Sequence, residues 1–107
     1  MVSQNTIREM AAKIAERFDP ERIILFGSYA RGDATENSDV DLLVVMAPGG
    51  SQRDVQAQIR NILLPYPTPI DVFIRTPDVF HRHATLVNSL PYFARQDGME
   101  LYARGSG

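Results

Sequence analysis

The segment LFGSYARGDATENSDVDLLVV, residues 25–45, decides how this chain folds. One apolar run ends at Gly27 and Ser28, and a second apolar run opens with Asp39 and Asp41. Because side chains alternate along a strand, the two aspartates should share one face, about 6.5 Å apart along the chain. Two carboxylates on one face can hold hard divalent cations such as Mg²⁺ through oxygen ligands.

The Gly-Ser pair at the end of the first strand is suited to binding phosphate. Gly27 lets backbone approach a phosphate without a Cβ, and Ser28 can donate its hydroxyl or its N–H group at the start of the following helical turn. Arg31 has two interpretations that the sequence leaves open. Its guanidinium can neutralise a triphosphate, or it can pair on the surface with Asp33 or Glu36.

A third aspartate, Asp71, interrupts the apolar stretch of residues 69–75. An isolated carboxylate inside a strand is costly unless it is paired. Either an arginine such as Arg75 or Arg22 pairs with Asp71, or Asp71 joins the other two carboxylates in a metal site. The sequence therefore predicts three acidic side chains that could gather at one place.

These residues resemble the fingerprint of the nucleotidyltransferase superfamily that includes DNA polymerase beta. That fingerprint is an apolar residue, Gly, Gly or Ser, roughly ten residues, and then Asp-apolar-Asp-apolar, with a third carboxylate on a later strand. The chain carries it from Phe26 to Leu42 and again at Asp71. The short length and the GSYARG sequence are most similar to the minimal nucleotidyltransferases, the MNT family, over about residues 5–103.

The resemblance implies a fold, a site and a partner. The fold is α+β: a small mixed sheet of three or four strands flanked by helices, the nucleotidyltransferase palm. The resemblance makes Asp39, Asp41 and Asp71 both the catalytic residues and the ligands of Mg²⁺, as two ions. It assigns the binding of ATP to Gly27, Ser28 and Arg31. In the MNT family the usual partner is a helical HEPN ribonuclease toxin, and the MNT protein is its antitoxin, in some members by transferring AMP to that toxin.

Several alternatives stay open from the residues alone. The alternation of helices and strands also fits a parallel flavodoxin-like sheet. The chain could be a non-catalytic nucleotide-binding antitoxin, or a free-standing nucleotidyltransferase acting on a small molecule of the aminoglycoside type.

Composition bounds these hypotheses. A chain of 107 residues with 44% hydrophobic and 22% charged residues predicts one soluble domain over residues 1–107. The absence of cysteine fits a cytoplasmic protein, and no apolar run approaches the roughly 20 residues that a membrane span needs. The net charge of −2, without a basic run, argues against nucleic acid as a direct partner.

Hydrophobic periodicity and turn residues predict the elements. The predicted helices cover residues 6–18, with Thr6 and Glu9 as a capping box, then 28–32, 52–64, 78–88 and 91–96. The predicted strands cover residues 22–27, 39–46 and 69–75, and the chain closes with a turn or short strand that ends at Leu101 and Tyr102.

Overall fold

The computed structural model describes residues 1–87 and 89–105. This part of the chain contains five helices and four strands, which alternate except that α4 and α5 are consecutive. The helices are α1 (Gln4–Phe18), α2 (Ser28–Arg31), α3 (Gln52–Ile62), α4 (Pro77–His83) and α5 (Leu90–Asp97). The strands are β1 (Arg22–Phe26), β2 (Val40–Val45), β3 (Ile70–Arg75) and β4 (Met99–Ala103). None of the described helices is both long and apolar enough to cross a bilayer.

The four strands form one mixed sheet in the order β3-β2-β1-β4. β1 pairs antiparallel with both β2 and β4, whereas β2 and β3 are parallel. A parallel pair needs a crossover, and α3 supplies it between β2 and β3. The predicted mixed sheet flanked by helices is therefore confirmed, and the all-parallel alternative is wrong because β1 and β4 both run against their neighbours.

Helices cover both faces of the sheet, so the core has two layers. On one face, α1 and α3 pack against alternate strand residues, including Leu42 and Val72. On the other face, Phe80 of α4 and Ala94 of α5 pack against Leu43 and Val45. Since Asp41 is two residues from Leu43, it lies on the face of α4 and α5. The candidate site thus shares a sheet face with the smaller core cluster.

Each helix differs from its prediction by one or two residues at an end, and α4 ends at residue 83 rather than 88. The cap of α1 is Ser3, whose Oγ accepts from the Thr6 N–H at 3.1 Å, so the helix begins earlier than predicted. The predicted helix over residues 78–88 ends at His83, because Ser89 caps a separate helix, α5. The last residue of that prediction, residue 88, lies outside the described residues. The predicted chain end is a true strand, β4, paired with β1.

We expect Phe80→Ala to lower the free energy of unfolding by about 3–5 kcal/mol, the usual loss for a buried phenylalanine. Phe80 is fully buried in the cluster between the sheet, α4 and α5, whereas Phe93 on α5 is 44% exposed. Phe93→Ala is therefore the matched control and should lose much less. Urea unfolding followed by circular dichroism checks this, and equal losses for the two variants would contradict the assigned core.

Candidate active site

Strand register brings the predicted acidic residues together. The parallel pairing of β2 with β3 places Asp41 directly opposite Asp71. The antiparallel pairing of β1 with β2 places Phe26 opposite Asp41, so Gly27 follows at the same end of the sheet. Asp39 immediately precedes β2. Residues that lie far apart in the sequence therefore meet at the ends of three adjacent strands.

Gly27 holds a backbone conformation that other residues rarely adopt. Its φ of 75° and ψ of −156° belong to a region that only glycine occupies readily. A Cβ at this position would also overlap Asp41 Oδ2 and stand 3.3 Å from the carboxyl carbon of Asp41. The absence of a side chain at Gly27 therefore lets the carboxylate of Asp41 lie against the chain where β1 turns into α2.

Ser28 begins α2, a single helical turn that follows β1. The carbonyl of Gly27 accepts from the N–H groups of Ala30 and Arg31, both at 3.1 Å, and these bonds fix the turn. The first N–H groups of a helix have no acceptor within the helix. Ser28 thus starts the helical turn at the end of the sheet that also carries Asp41, and its binding of phosphate stays a prediction.

Arg31 forms the predicted surface pair with Asp33, and its interaction with a triphosphate stays a prediction. Its Nε lies 3.4 Å from Asp33 Oδ2, and both side chains are largely exposed. The positive charge of Arg31 also acts on Asp41 and lowers its pKa slightly against the effects that raise it. Arg31 is therefore at the border of the site, and its surface ion pair is weak enough to exchange for another anion.

The carboxylates repel one another in a partly buried setting. The pKa of Asp41 is raised from 3.8 to about 6, first by burial and then by the negative charges of Asp71 and Asp39. The pKa of Asp71 is also raised, first by burial, then by a side-chain hydrogen bond with Asp39 and by the charge of Asp39. A carboxylate cluster of this kind favours either a proton or a cation.

The arginines that could have paired with Asp71 are engaged elsewhere. Arg75 donates from Nη1 to the carbonyl of Ile74 at 2.8 Å, and Arg22 Nη1 lies 3.4 Å from Glu100 Oε1. The cation that acts on Asp71 is instead Arg60, on α3, which lowers the pKa of Asp71. Arg60 was not predicted to act on Asp71, because nothing in the local sequence connects α3 to β3.

An aromatic pair borders the acidic cluster. The rings of Phe26 and Phe73 lie 5.6 Å apart between centroids. Phe26 is opposite Asp41, and Phe73 is two residues after Asp71 on the same face. The two rings therefore lie on the sheet face that carries the carboxylates, where burial is the first cause of the raised pKa values of Asp41 and Asp71. Phe26 was not predicted to be a site residue, because its position opposite Asp41 depends on the strand register.

The donor set fits a hard divalent cation by its chemistry. All three side chains offer carboxylate oxygens, the ligands that Mg²⁺ prefers, and their mutual repulsion would be relieved by a positive ion. Within residues 1–87 and 89–105, however, no group of three or more acidic or histidine side chains is arranged so that it could hold a metal ion. The carboxylates instead meet as pairs, Asp41 with Asp71 across the strands and Asp39 with Asp71 through their side chains.

Comparison with known proteins assigns the family. A sequence model described as "Nucleotidyltransferase domain" matches residues 7–96. This chain belongs to the nucleotidyltransferase domain family. The match extends from the first helix to the last and includes every predicted site residue. The resemblance inferred from the Gly-Ser and Asp-Val-Asp motifs is confirmed.

Several relatives carry protein adenylyltransferase names. A protein from Methanocaldococcus jannaschii, provisionally named a protein adenylyltransferase, is 36% identical over 85 residues, 77% of this chain and 82% of the relative. The protein adenylyltransferase MntA of Thermococcus cleftensis is 56% identical over 32 residues, 30% of this chain and 32% of the relative.

Solved structures share the fold of this chain. A crystal structure of a nucleotidyltransferase homologue from Sulfolobus solfataricus has a TM-score of 0.65 at 20% identity, and covers 96% of this chain and 82% of its own. A toxin–antitoxin crystal structure with AMP-PNP has a TM-score of 0.60 at 18% identity, covering 92% of this chain and 74% of its own. At these identities the likeness concerns the fold.

We expect Gly27→Ala to destabilise the protein more than Gly32→Ala. Both glycines have positive φ, 75° and 85°, but a Cβ at Gly32 would meet open space whereas one at Gly27 would meet Asp41. Alanine at Gly32 should lose about 1–2 kcal/mol from backbone strain alone, and alanine at Gly27 about 1–3 kcal/mol more from overpacking. Urea unfolding of the two variants measures the difference, and equal losses would refute the close approach.

The raised pKa of Asp41 predicts a specific pH dependence without divalent cations. Because its pKa in the folded state, about 6, exceeds the ordinary 3.8, the stability linked to this group is present at low pH and is lost as pH rises through about 6. Asp41→Asn removes that loss. The melting temperature of Asp41→Asn relative to wild type should therefore increase between about pH 4 and pH 7 in EDTA.

The control for this experiment is Asp97→Asn, which removes one negative charge at an exposed position of α5. Melting curves of all three proteins over the same pH range make the comparison. An equal gain for Asp97→Asn would mean that net charge, rather than the acidic cluster, produces the pH dependence.

Proposed function

We propose that this chain is a Mg²⁺-dependent nucleotidyltransferase that transfers AMP from ATP to a hydroxyl group of a partner protein. The observation that carries the proposal is the placement of Asp41 opposite Asp71, with Gly27 directly beside Asp41. The family match and the relatives with protein adenylyltransferase names support the same chemistry. ATP as the nucleotide is supported by the structural neighbour described with AMP-PNP.

The strand order gives the transfer a direction. Gly27 and Ser28 lie at the end of β1, Asp41 on the central strand β2, and Asp71 on β3. The β- and γ-phosphates are bound by Ser28 and the α2 turn, and Arg31 exchanges its surface partner for the triphosphate. An in-line displacement places the attacking hydroxyl on the side opposite the leaving pyrophosphate. That side carries Asp71, because β3 lies two strand spacings, about 10 Å, from the end of β1 where Ser28 begins α2.

The acceptor oxygen forms a bond to the α-phosphorus, and the bond between the α-phosphorus and the bridging oxygen breaks, so that pyrophosphate leaves with the electron pair. The hydroxyl proton passes to the carboxylate of Asp71, which lies on the acceptor side. Asp39, Asp41 and Asp71 would hold Mg²⁺, as two ions, and bound Mg²⁺ supplies neutralisation of the phosphate charge.

The biological role that we propose is that of an MNT antitoxin acting on a HEPN toxin in the cytoplasm. Structural neighbours described as toxin–antitoxin complexes support a toxin partner, and the HEPN identity rests on the resemblance to the MNT family. The region after β3 also exposes three large apolar side chains, Leu86, Val87 and Phe93, at 55%, 63% and 44%. Exposed apolar side chains of this size are typical of a protein partner surface.

Two alternative functions predict different experimental results from this proposal. A non-catalytic antitoxin would bind the nucleotide and the toxin without transfer. A free-standing nucleotidyltransferase of the aminoglycoside type would label a small molecule without a protein partner. The intact set of Gly27, Ser28 and three carboxylates favours catalysis over binding alone.

The test is intact-mass analysis of a helical protein encoded beside this chain, after incubation with this protein, ATP and Mg²⁺. We expect the neighbour to gain the mass of an adenylyl group, with release of pyrophosphate. The double variant Asp39→Ala, Asp41→Ala should retain the fold, because it removes repelling carboxylates, and should abolish the transfer. Transfer at the wild-type rate in the double variant would refute the site. Labelling of kanamycin by the isolated protein would favour the small-molecule alternative.

A further inference from the structure

The outer edge of β3 is covered by side chains of α3. In the described sheet β3 is an edge strand, with β2 as its partner. Gln56 Nε2 donates to the carbonyl of Val72, and Gln52 Nε2 donates to the carbonyl of Ile74 at 2.9 Å. These two carbonyls point away from β2, because the carbonyls of Pro69 and Arg75, at odd-numbered positions, accept from β2 and its flanking residue.

The two hydrogen bonds from Gln52 and Gln56 form because the repeat distances of the helix and the strand are nearly equal. Four residues along a helix rise about 6.0 Å, and two residues along a strand rise about 6.6 Å. A stripe of residues four apart on α3 therefore keeps in step with alternate carbonyls of β3. The next residue of the stripe is Arg60, which lines a cavity of about 200 Å³ together with Ile70 and acts on Asp71.

We infer that Gln56 is a positioning residue for Asp71. Its hydrogen bond holds the carbonyl of Val72, the residue that directly follows Asp71, and so fixes the backbone that carries the carboxylate opposite Asp41. Gln52 makes the same kind of bond two strand residues further from Asp71. The effect of Gln56 on metal binding and catalysis rests on the proposed function, in which the carboxylate of Asp71 binds a cation and receives a proton.

The chain offers a matched pair of variants. Methionine has nearly the shape of glutamine but lacks the donor, so Gln56→Met and Gln52→Met each remove one hydrogen bond to an outward carbonyl of β3. A purely structural role would give both variants the same loss of stability and the same effect on the site. A positioning role makes Gln56 specific, because only its bond adjoins Asp71.

The first measurement is the affinity for Mn²⁺ in the presence of AMP-PNP, followed by electron paramagnetic resonance. We expect Gln56→Met to weaken Mn²⁺ binding about tenfold, the size typical of residues that support metal ligands, and Gln52→Met to change it by less than about twofold. In the Asp71→Asn background, Gln56→Met should have no further effect. Equal weakening by the two methionine variants, or full weakening in the Asp71→Asn background, would overturn the inference.

The second measurement needs no cation or nucleotide. The N–H groups of Asp71 and Phe73 point toward β2, so their hydrogen exchange reports on the local opening of β3. Exchange at Asp71 should increase several-fold in Gln56→Met and stay close to wild type in Gln52→Met. If wild type binds no Mn²⁺, the proposed function fails, and the exchange result still decides the positioning role. Unchanged exchange at Asp71 in Gln56→Met would overturn it.

Discussion

The contact between the carboxylate of Asp41 and the backbone of Gly27 is the constraint on which the rest of the site depends. No side chain fits between them, and the backbone of Gly27 occupies a region that is open chiefly to glycine. This contact allows β1 to turn directly into α2 next to the carboxylates. The helical turn of Ser28 and the acidic cluster can then face the same bound group from adjacent strands.

The acidic cluster is maintained at an electrostatic cost. Partial burial and mutual repulsion raise the pKa of both Asp41 and Asp71, so each carboxyl group keeps its proton to a higher pH than an ordinary aspartate does. The same repulsion is what a divalent cation would relieve. In the proposed function, binding of a cation would therefore offset the same electrostatic cost that raises these two pKa values.

The larger hydrophobic cluster and the acidic residues lie on opposite faces of the sheet. The larger cluster, between the sheet and helices α1 and α3, is built mainly from aliphatic side chains such as Ile7 and Leu42. The face of α4 and α5 carries a smaller cluster, and beyond it the half-buried Phe26 and Phe73 lead to the carboxylates. α3 belongs to both tasks, since its apolar side buries Ile59 while its glutamines hold the edge of β3. A helix that packs the core thus also supports the strand of Asp71.

The sequence by itself determined the local features of this protein. Strand alternation places Asp39 and Asp41 on one face, a turn at Gly27 and Ser28 follows from their chemistry, and an aspartate within an apolar strand identifies Asp71. The helix predicted over residues 78–88 is present but ends early, at His83, and the predicted Thr6 cap was wrong. Ser3 and Ser89 are the residues that cap α1 and α5.

Only the tertiary structure decided which of these features meet. The parallel register that sets Asp41 opposite Asp71 depends on the crossover through α3. The roles of Phe26, Gln56 and Arg60 depend on which strand and which helix become their neighbours. Periodicity along a chain reports the face on which a residue lies. It carries no information about the element across from that face, because that choice is made by packing energies summed over the whole core.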